Sequence, residues 1–194
     1  MNNRGGSGLH WPARAPRWRA VNLSEAIAKT RRHIDAHWEQ TFRDSRHESA
    51  REFPLPRPHT VPSTDPCMWL FFYWDTYFTN LGLLRQNRLA QAINNADNVI
   101  HCIEQIGLVP NISVRIALNR SQIPVSAVLF EDIFRHTGDL AWLRRAYAAL
   151  GKEYAFWMAL RLAPNDLNTC GTNADPITLA GLYDVIRERL RVIP

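Results

Sequence analysis

The sequence predicts an all-α chain, on three observations. Apolar residues recur at helical spacing through most of its length. The segments carrying that spacing are separated by short breaks at Gly107, Gly138 and clustered prolines. No run alternates apolar and polar residues long enough to read as a strand, although 114–118 (Val-Arg-Ile-Ala-Leu) has the composition of a short extended piece.

In chain order, Asn22 and Glu25 have the spacing of a capping box. They open a helix over 23–43 with Ile27, Ile34, Trp38 and Phe42 among its apolar positions. Residues 45–66 read as a linker, because Pro54, Pro56, Pro58, Pro62 and Pro66 block regular structure. A helix over 73–85 and another over 88–106 follow, the second stopped by Gly107. A polar loop leads to a helix over 124–137 with Gly138 after its end. Asp139 is placed to cap a longer helix over 140–162, and Asp175 with Pro176 opens a last one over 176–189. About six helices result, built as consecutive pairs, with no internal period to suggest a solenoid.

The length of 194 residues and a hydrophobic content of 46% suit one good-sized folded unit. No apolar run is long enough to span a bilayer, and no apolar core follows the N-terminal arginines as a secretory signal requires. The net charge is +5, and residues 1–20 contribute four Arg and no acid. Residues 1–21 therefore read as a disordered basic arm and 22–194 as the helical body. A basic arm can attract nucleic acid, but the composition alone is that of a solvated extension, so neither a nucleic acid nor a membrane is expected as partner. Cys67, Cys102 and Cys170 are odd in number and form no C-x-x-C. Reduced thiols in a cytoplasmic setting are the expectation. His33 and His37 lie four apart on a helix without a third ligand nearby. They read as a solvated face, and no metal or other cofactor is expected.

The chemistry concentrates in two blocks. Residues 66–78 read Pro-Cys-Met-Trp-Leu-Phe-Phe-Tyr-Trp-Asp-Thr-Tyr-Phe, so one carboxylate, Asp75, lies within a dense aromatic run. A buried charge is costly unless paired. Sugars suit such a place, because their C–H faces stack on rings and their hydroxyls hydrogen-bond to a carboxylate. An apolar helix with its aspartate turned to solvent is the plain alternative. The second block lies between prolines at 110 and 124 and includes Pro110-Asn111 and Leu118-Asn119-Arg120-Ser121-Gln122. A loop dense in Asn, Arg, Ser and Gln supplies fixed donors and acceptors.

Tyr73-Trp74-Asp75-Thr76-Tyr77, then Pro110-Asn111, then Leu118 to Gln122, resemble the trehalase-like glycoside hydrolases, over roughly residues 62–157. The form of the first block looks closer to the mannosylglycerate-hydrolase branch. The resemblance implies an (α/α)6 barrel, a six-hairpin toroid of twelve helices, of which this chain is roughly the N-terminal half. It implies an inverting glycosidase acting on a small α-glycoside, such as glucosylglycerate, mannosylglycerate or trehalose, with water as nucleophile and no organic cofactor. Inversion needs two carboxyl groups with room for a water between them. In the family the acid lies in a Gly-Trp-Asp block and the base is a Glu much further along. No Gly-Trp-Asp occurs here, so the resemblance gives this chain one wall of a sugar pocket and neither catalytic group. Trp74 is then expected to stack on the glycosyl ring and Asp75 to accept from sugar hydroxyls. Asn111, Arg120 and Gln122 are expected to line the same pocket. Against these stand plainer roles: Trp74 in the core, Asn111 as a turn residue, Arg120 neutralising Asp75.

The pattern also departs from the family. The Pro-Gly-Gly-Arg-Phe block of trehalases is replaced by Pro62-Ser63-Thr64-Asp65-Pro66, Ile123 stands where a first proline is usual, and Ile112 replaces a small residue. The Leu-Asn-Arg-x-Gly of the mannosylglycerate-like branch is Leu167-Asn168-Thr169-Cys170-Gly171 here, without the Arg. A chain lacking acid and base also fits a non-catalytic helical module that binds a sugar or a partner. A half-barrel exposes apolar helix faces, so pairing with the missing C-terminal half or with a second copy is expected.

Overall fold

The computed structural model describes residues 22–44 and 52–172, with Pro176, Ile177 and Tyr183 as single positions. The arm at 1–21 and nearly all of the expected last helix lie outside the described residues. The chain divides into two units, Met1–Ala36 and His37–Pro194. Five helices are present among the described residues: α1 (Leu23–Thr41), α2 (Tyr73–Arg85), α3 (Leu89–Ile106), α4 (Ser126–Thr137) and α5 (Leu140–Leu160).

Local chemistry sets most of the helix ends. At the start of α1, Asn22 Oδ1 accepts from Glu25 N at 3.3 Å, which is the forward half of the expected capping box. Helix α3 stops where Gly107 takes a left-handed φ of 82°, and α4 stops at Gly138 with φ 64°. An L side chain resists that conformation, and glycine adopts it freely. Asp139 Oδ1 caps α5 by accepting from Ala141 N at 2.9 Å and Trp142 N at 3.0 Å, a cap worth about 1 kcal/mol.

Several expectations need correction. The first helix ends at Thr41, not at 43, because the chain goes on into a strand. Phe42–Arg43 (β1) pairs antiparallel with His59–Thr60 (β2), in the register Phe42 with Thr60 and Arg43 with His59. Two-residue strands are too short to leave an alternating pattern, so the sequence shows no strand there. The stretch read as a possible extended piece is extended only at Val114, after which Arg115–Ala117 closes a 3-10 turn. The helix expected from Pro124 starts at Ser126, and the one expected to reach 162 stops at Leu160.

Helix α3 is the centre of the second unit, packing against α2, α4, α5 and β2. Its inner face of Ala92, Ala96, Val99, Ile100 and Ile103 meets Leu83 of α2, Leu129, Phe130 and Ile133 of α4, and Ala146 and Ala149 of α5 in one buried cluster. Each fully buried Leu, Ile or Phe contributes roughly 1.5–3 kcal/mol. The same helix carries asparagines that serve the proline-rich segment. Asn98 takes Arg57 N at 3.1 Å and gives to Arg57 O at 2.9 Å. Asn95 takes Thr60 N at 3.0 Å, gives to Thr60 Oγ1 at 2.7 Å, and gives to Asn80 Oδ1 at 2.8 Å. Buried amides satisfy backbone groups that a linker flanked by prolines cannot pair by itself. Helix α5 also leaves Leu140, Tyr147, Tyr154 and Met158 in solvent.

Candidate functional site

The two motif blocks meet in a backbone junction. Phe72 bridges Ile112, and Pro110 bridges Ser121. Asn111 N donates to Arg120 O at 2.8 Å, while Asn111 O accepts from Tyr73 N at 3.3 Å. Ser113 completes the join: its Oγ accepts from Phe71 N at 3.2 Å, and its own N donates to Phe71 O at 2.9 Å. The first turn of α2 is thereby laid against the polar loop.

Gln122 Oε1 accepts from Trp74 N at 3.3 Å. This orphan amide of a helix N-terminus has no backbone acceptor within the helix. Asp75, the next residue, is half-buried in the first turn of α2, where the helix dipole favours a carboxylate. Trp74 is 44% exposed, with Phe78 edge-on to it at 6.1 Å. It is therefore not a core residue, which removes the plain alternative for it. Asn111 and Arg120 are half-buried. Arg120 Nη1 reaches Ile116 O at 3.4 Å, and no ion pair joins Arg120 to Asp75 among the described residues. Arg120 Nη2 and Asn119 Oδ1 are buried with no hydrogen-bond partner.

Behind this surface lie two supports that the sequence reading missed. Arg161, which ends α5, is 2% exposed and holds the loop from below. Its Nε donates to Ser121 Oγ at 2.9 Å and its Nη2 to Asn119 O at 3.1 Å, with Phe156 4.7 Å from its guanidinium. Burial draws its pKa below the usual arginine value.

The second support is Tyr73. Its phenol is 1% exposed and accepts from Val125 N and Ser126 N, both at 3.0 Å. It donates to Glu153 Oε1 at 2.8 Å and lies 2.6 Å from Ser126 Oγ. Glu153 is 4% exposed, and burial raises its pKa against the hydrogen bonds from Tyr73 and Ser126 that lower it. Burial and the neighbouring Glu153 charge push the Tyr73 phenol well up. Glu153 was legible in principle: Ala146, Ala149, Glu153 and Trp157 form one helical stripe, all buried, so the acid stands on the core face. Among the described residues, no group of three or more His, Cys, Asp or Glu is placed to hold a metal ion.

A model of the Trehalase family matches residues 8–184. The periplasmic trehalase of Escherichia coli O1:K1 / APEC is 35% identical over 130 residues, covering 66% of this chain and 22% of that protein. The putative periplasmic trehalase of Escherichia coli O157:H7 is 35% identical over the same length and is covered to 23%. Among solved structures, neutral trehalase Nth1 from Saccharomyces cerevisiae superposes with a TM-score of 0.56 at 29% identity, covering 60% of this chain and 22% of that one. The chain thus spans less than a quarter of the length of these relatives.

Proposed function

Because this chain belongs to the trehalase family, we propose that it forms one wall of the sugar pocket of an inverting glycoside hydrolase acting on a small α-glycoside. Trehalose, glucosylglycerate and mannosylglycerate are the candidate substrates. The five helices among its described residues are part of an (α/α)6 toroid, and the rest of that toroid is the expected partner. The observation that carries the reading is the bond from Trp74 N to Gln122 Oε1, which joins the aromatic block to the polar loop one residue from Asp75. A sugar ring needs partners on several edges, and one helix cannot supply them all.

Trp74 stacks on the ring in this proposal, Asp75 accepts from its hydroxyls, and Gln122, Arg120 and Asn111 line the opposite edge. The buried unpartnered Arg120 Nη2 and Asn119 Oδ1 support a polar ligand there, since such groups are costly when left unpaired. A cytoplasmic setting is part of the proposal and rests on the cysteine usage. The sequence contains no Gly-Trp-Asp block, which favours sugar binding without turnover for this chain taken alone.

Calorimetric titration of the purified chain with trehalose, with a coupled glucose-release assay on the same sample, tests the reading. Binding without turnover is expected, lost in Asp75→Ala by about 10-fold or more, as for removal of one charged hydrogen-bond partner. Turnover near that of a full-length trehalase overturns the assignment of acid and base to other sequence. Failure of trehalose, glucosylglycerate and mannosylglycerate to bind overturns the pocket.

A further inference from the structure

We infer that Glu153 is a positioning residue for the sugar-facing wall. Through the Tyr73 phenol it fixes the start of α2, which carries Trp74 and Asp75, against the start of α4, which follows directly on Gln122-Ile123-Pro124. The inference rests on the pocket proposed above.

The phenol is used to capacity. A tyrosine hydroxyl has one proton to give and two lone pairs to receive. Here the lone pairs meet the Val125 and Ser126 amides and the proton goes to Glu153, with Ser126 Oγ as a further close contact at 2.6 Å. Val125 and Ser126 open α4, whose first-turn amides have no intrahelical acceptor and no side-chain cap. Tyr73 therefore stands in for the missing cap of α4 while being the first residue of α2. The Gln122–Trp74 bond spans the same two chain segments from the solvent side. Residues 73–74 and 122–126 are thus cross-linked twice, once by a buried phenol and once by an amide at the rim. A change in the phenol's direction turns the first helical turn, and Trp74 and Asp75 turn with it.

Packing alone does not require an acid at 153. An apolar residue fills a place on a core stripe without the desolvation cost of a carboxylate, which offsets part of the cost of leaving the Tyr73 and Ser126 hydroxyls without that acceptor. Without an acceptor at 153, the phenol's proton turns to Ser126 Oγ, 2.6 Å away, and the hydroxyl is free to abandon one of the two amides. Glu153 is the anchor that selects a single orientation. It touches neither sugar nor the exposed rim, so its effect on ligand passes through Tyr73.

The test separates stability from positioning. Melting temperature, amide hydrogen exchange at Trp74 and trehalose affinity are measured for the full chain and for Glu153→Leu, Glu153→Gln and Tyr73→Phe. Glu153→Leu is expected to lower the melting temperature only modestly, yet to exchange the Trp74 amide about 10-fold faster and bind trehalose about 10-fold more weakly, the scale of one lost hydrogen bond. Glu153→Gln keeps an acceptor oxygen and is expected to restore both. Tyr73→Phe is expected to reproduce the faster Trp74 exchange by removing the phenol itself, and it decides the matter if the leucine variant does not fold. Unchanged Trp74 exchange in the variants that fold, or exchange that rises only in step with a lower melting temperature, overturns the inference. If the parent chain binds none of trehalose, glucosylglycerate and mannosylglycerate, the pocket proposal fails while the exchange measurement still decides the role of Glu153.

Discussion

His59 and Glu153 are each 4% exposed, and they sit in opposite electrostatic company. Glu153 lies among hydroxyl donors that offset part of the cost of burying its charge. His59 lies across the strand pair from Arg43 and edge-on to Phe71 at 5.8 Å, with its Nδ1 buried and unpartnered. Burial and the Arg43 charge both oppose its protonation and lower its pKa to about 4. The Arg43 guanidinium is itself stacked on Trp69, 3.7 Å from the ring centroid. Equal burial therefore yields two corners with opposite responses to acid. One is built to hold an acid, and the other tolerates only a neutral ring.

The largest expected effect breaks this comparison at His59. Its folded pKa lies below the unfolded value of 6.5, so on acidification the unfolded chain takes up a proton that the folded chain refuses. The contribution is fully present above pH 6.5 and is lost as pH falls toward about 4, on the order of 3 kcal/mol in all. Urea unfolding at stepped pH should show this loss, and His59→Gln should remove it. An equal acid slope in the variant contradicts the placement of His59.

Glu153 has the opposite sign. Its folded pKa is raised above the ordinary glutamate value of 4.5, so the folded chain holds the proton more tightly. Stability from this group falls as pH rises from 4.5 through the folded value. Glu153→Gln should flatten that part of the profile and change stability near neutral pH by no more than about 1 kcal/mol. A steeper fall with rising pH in the variant reverses the expected sign.

The smallest effect sharpens the contrast between buried support and exposed wall. Asp75 is half-buried at the first turn of α2, in no ion pair among the described residues. Its dipole contact is worth about 0.3–1 kcal/mol. Asp75→Asn should therefore change the unfolding free energy from urea titration by an amount within that range, while sugar affinity falls further. A destabilisation of several kcal/mol makes the aspartate a structural residue.

How much of this was legible depended on the range of each interaction. Helix α2 runs from Tyr73 to Arg85 as the pattern indicated, and Gly107, Gly138 and Asp139 end or begin helices as their chemistry requires. These are local effects, settled within a turn of chain. The β1–β2 pair depends on Asn95, 35 residues away from Thr60, and no local pattern encodes that. The resemblance led to the expectation of Gln122 and Asp75 in one pocket but did not reveal that the Gln122 side chain binds the Trp74 backbone amide. Tyr73 was hidden among six neighbouring aromatics, where a phenol and a phenyl read alike, and only the fold supplies its partners.

The bond from Tyr73 to Glu153 joins residues 80 apart in the chain. The entropic cost of closing that segment must be met before the contact can reward it, so the bond is expected to form late on the way to the native state. Interactions absent from the transition state govern how fast a protein comes apart and leave its folding rate nearly unchanged. The phenol and its acid are therefore expected to act on the lifetime of this junction: they set how long the two segments stay together once they have met.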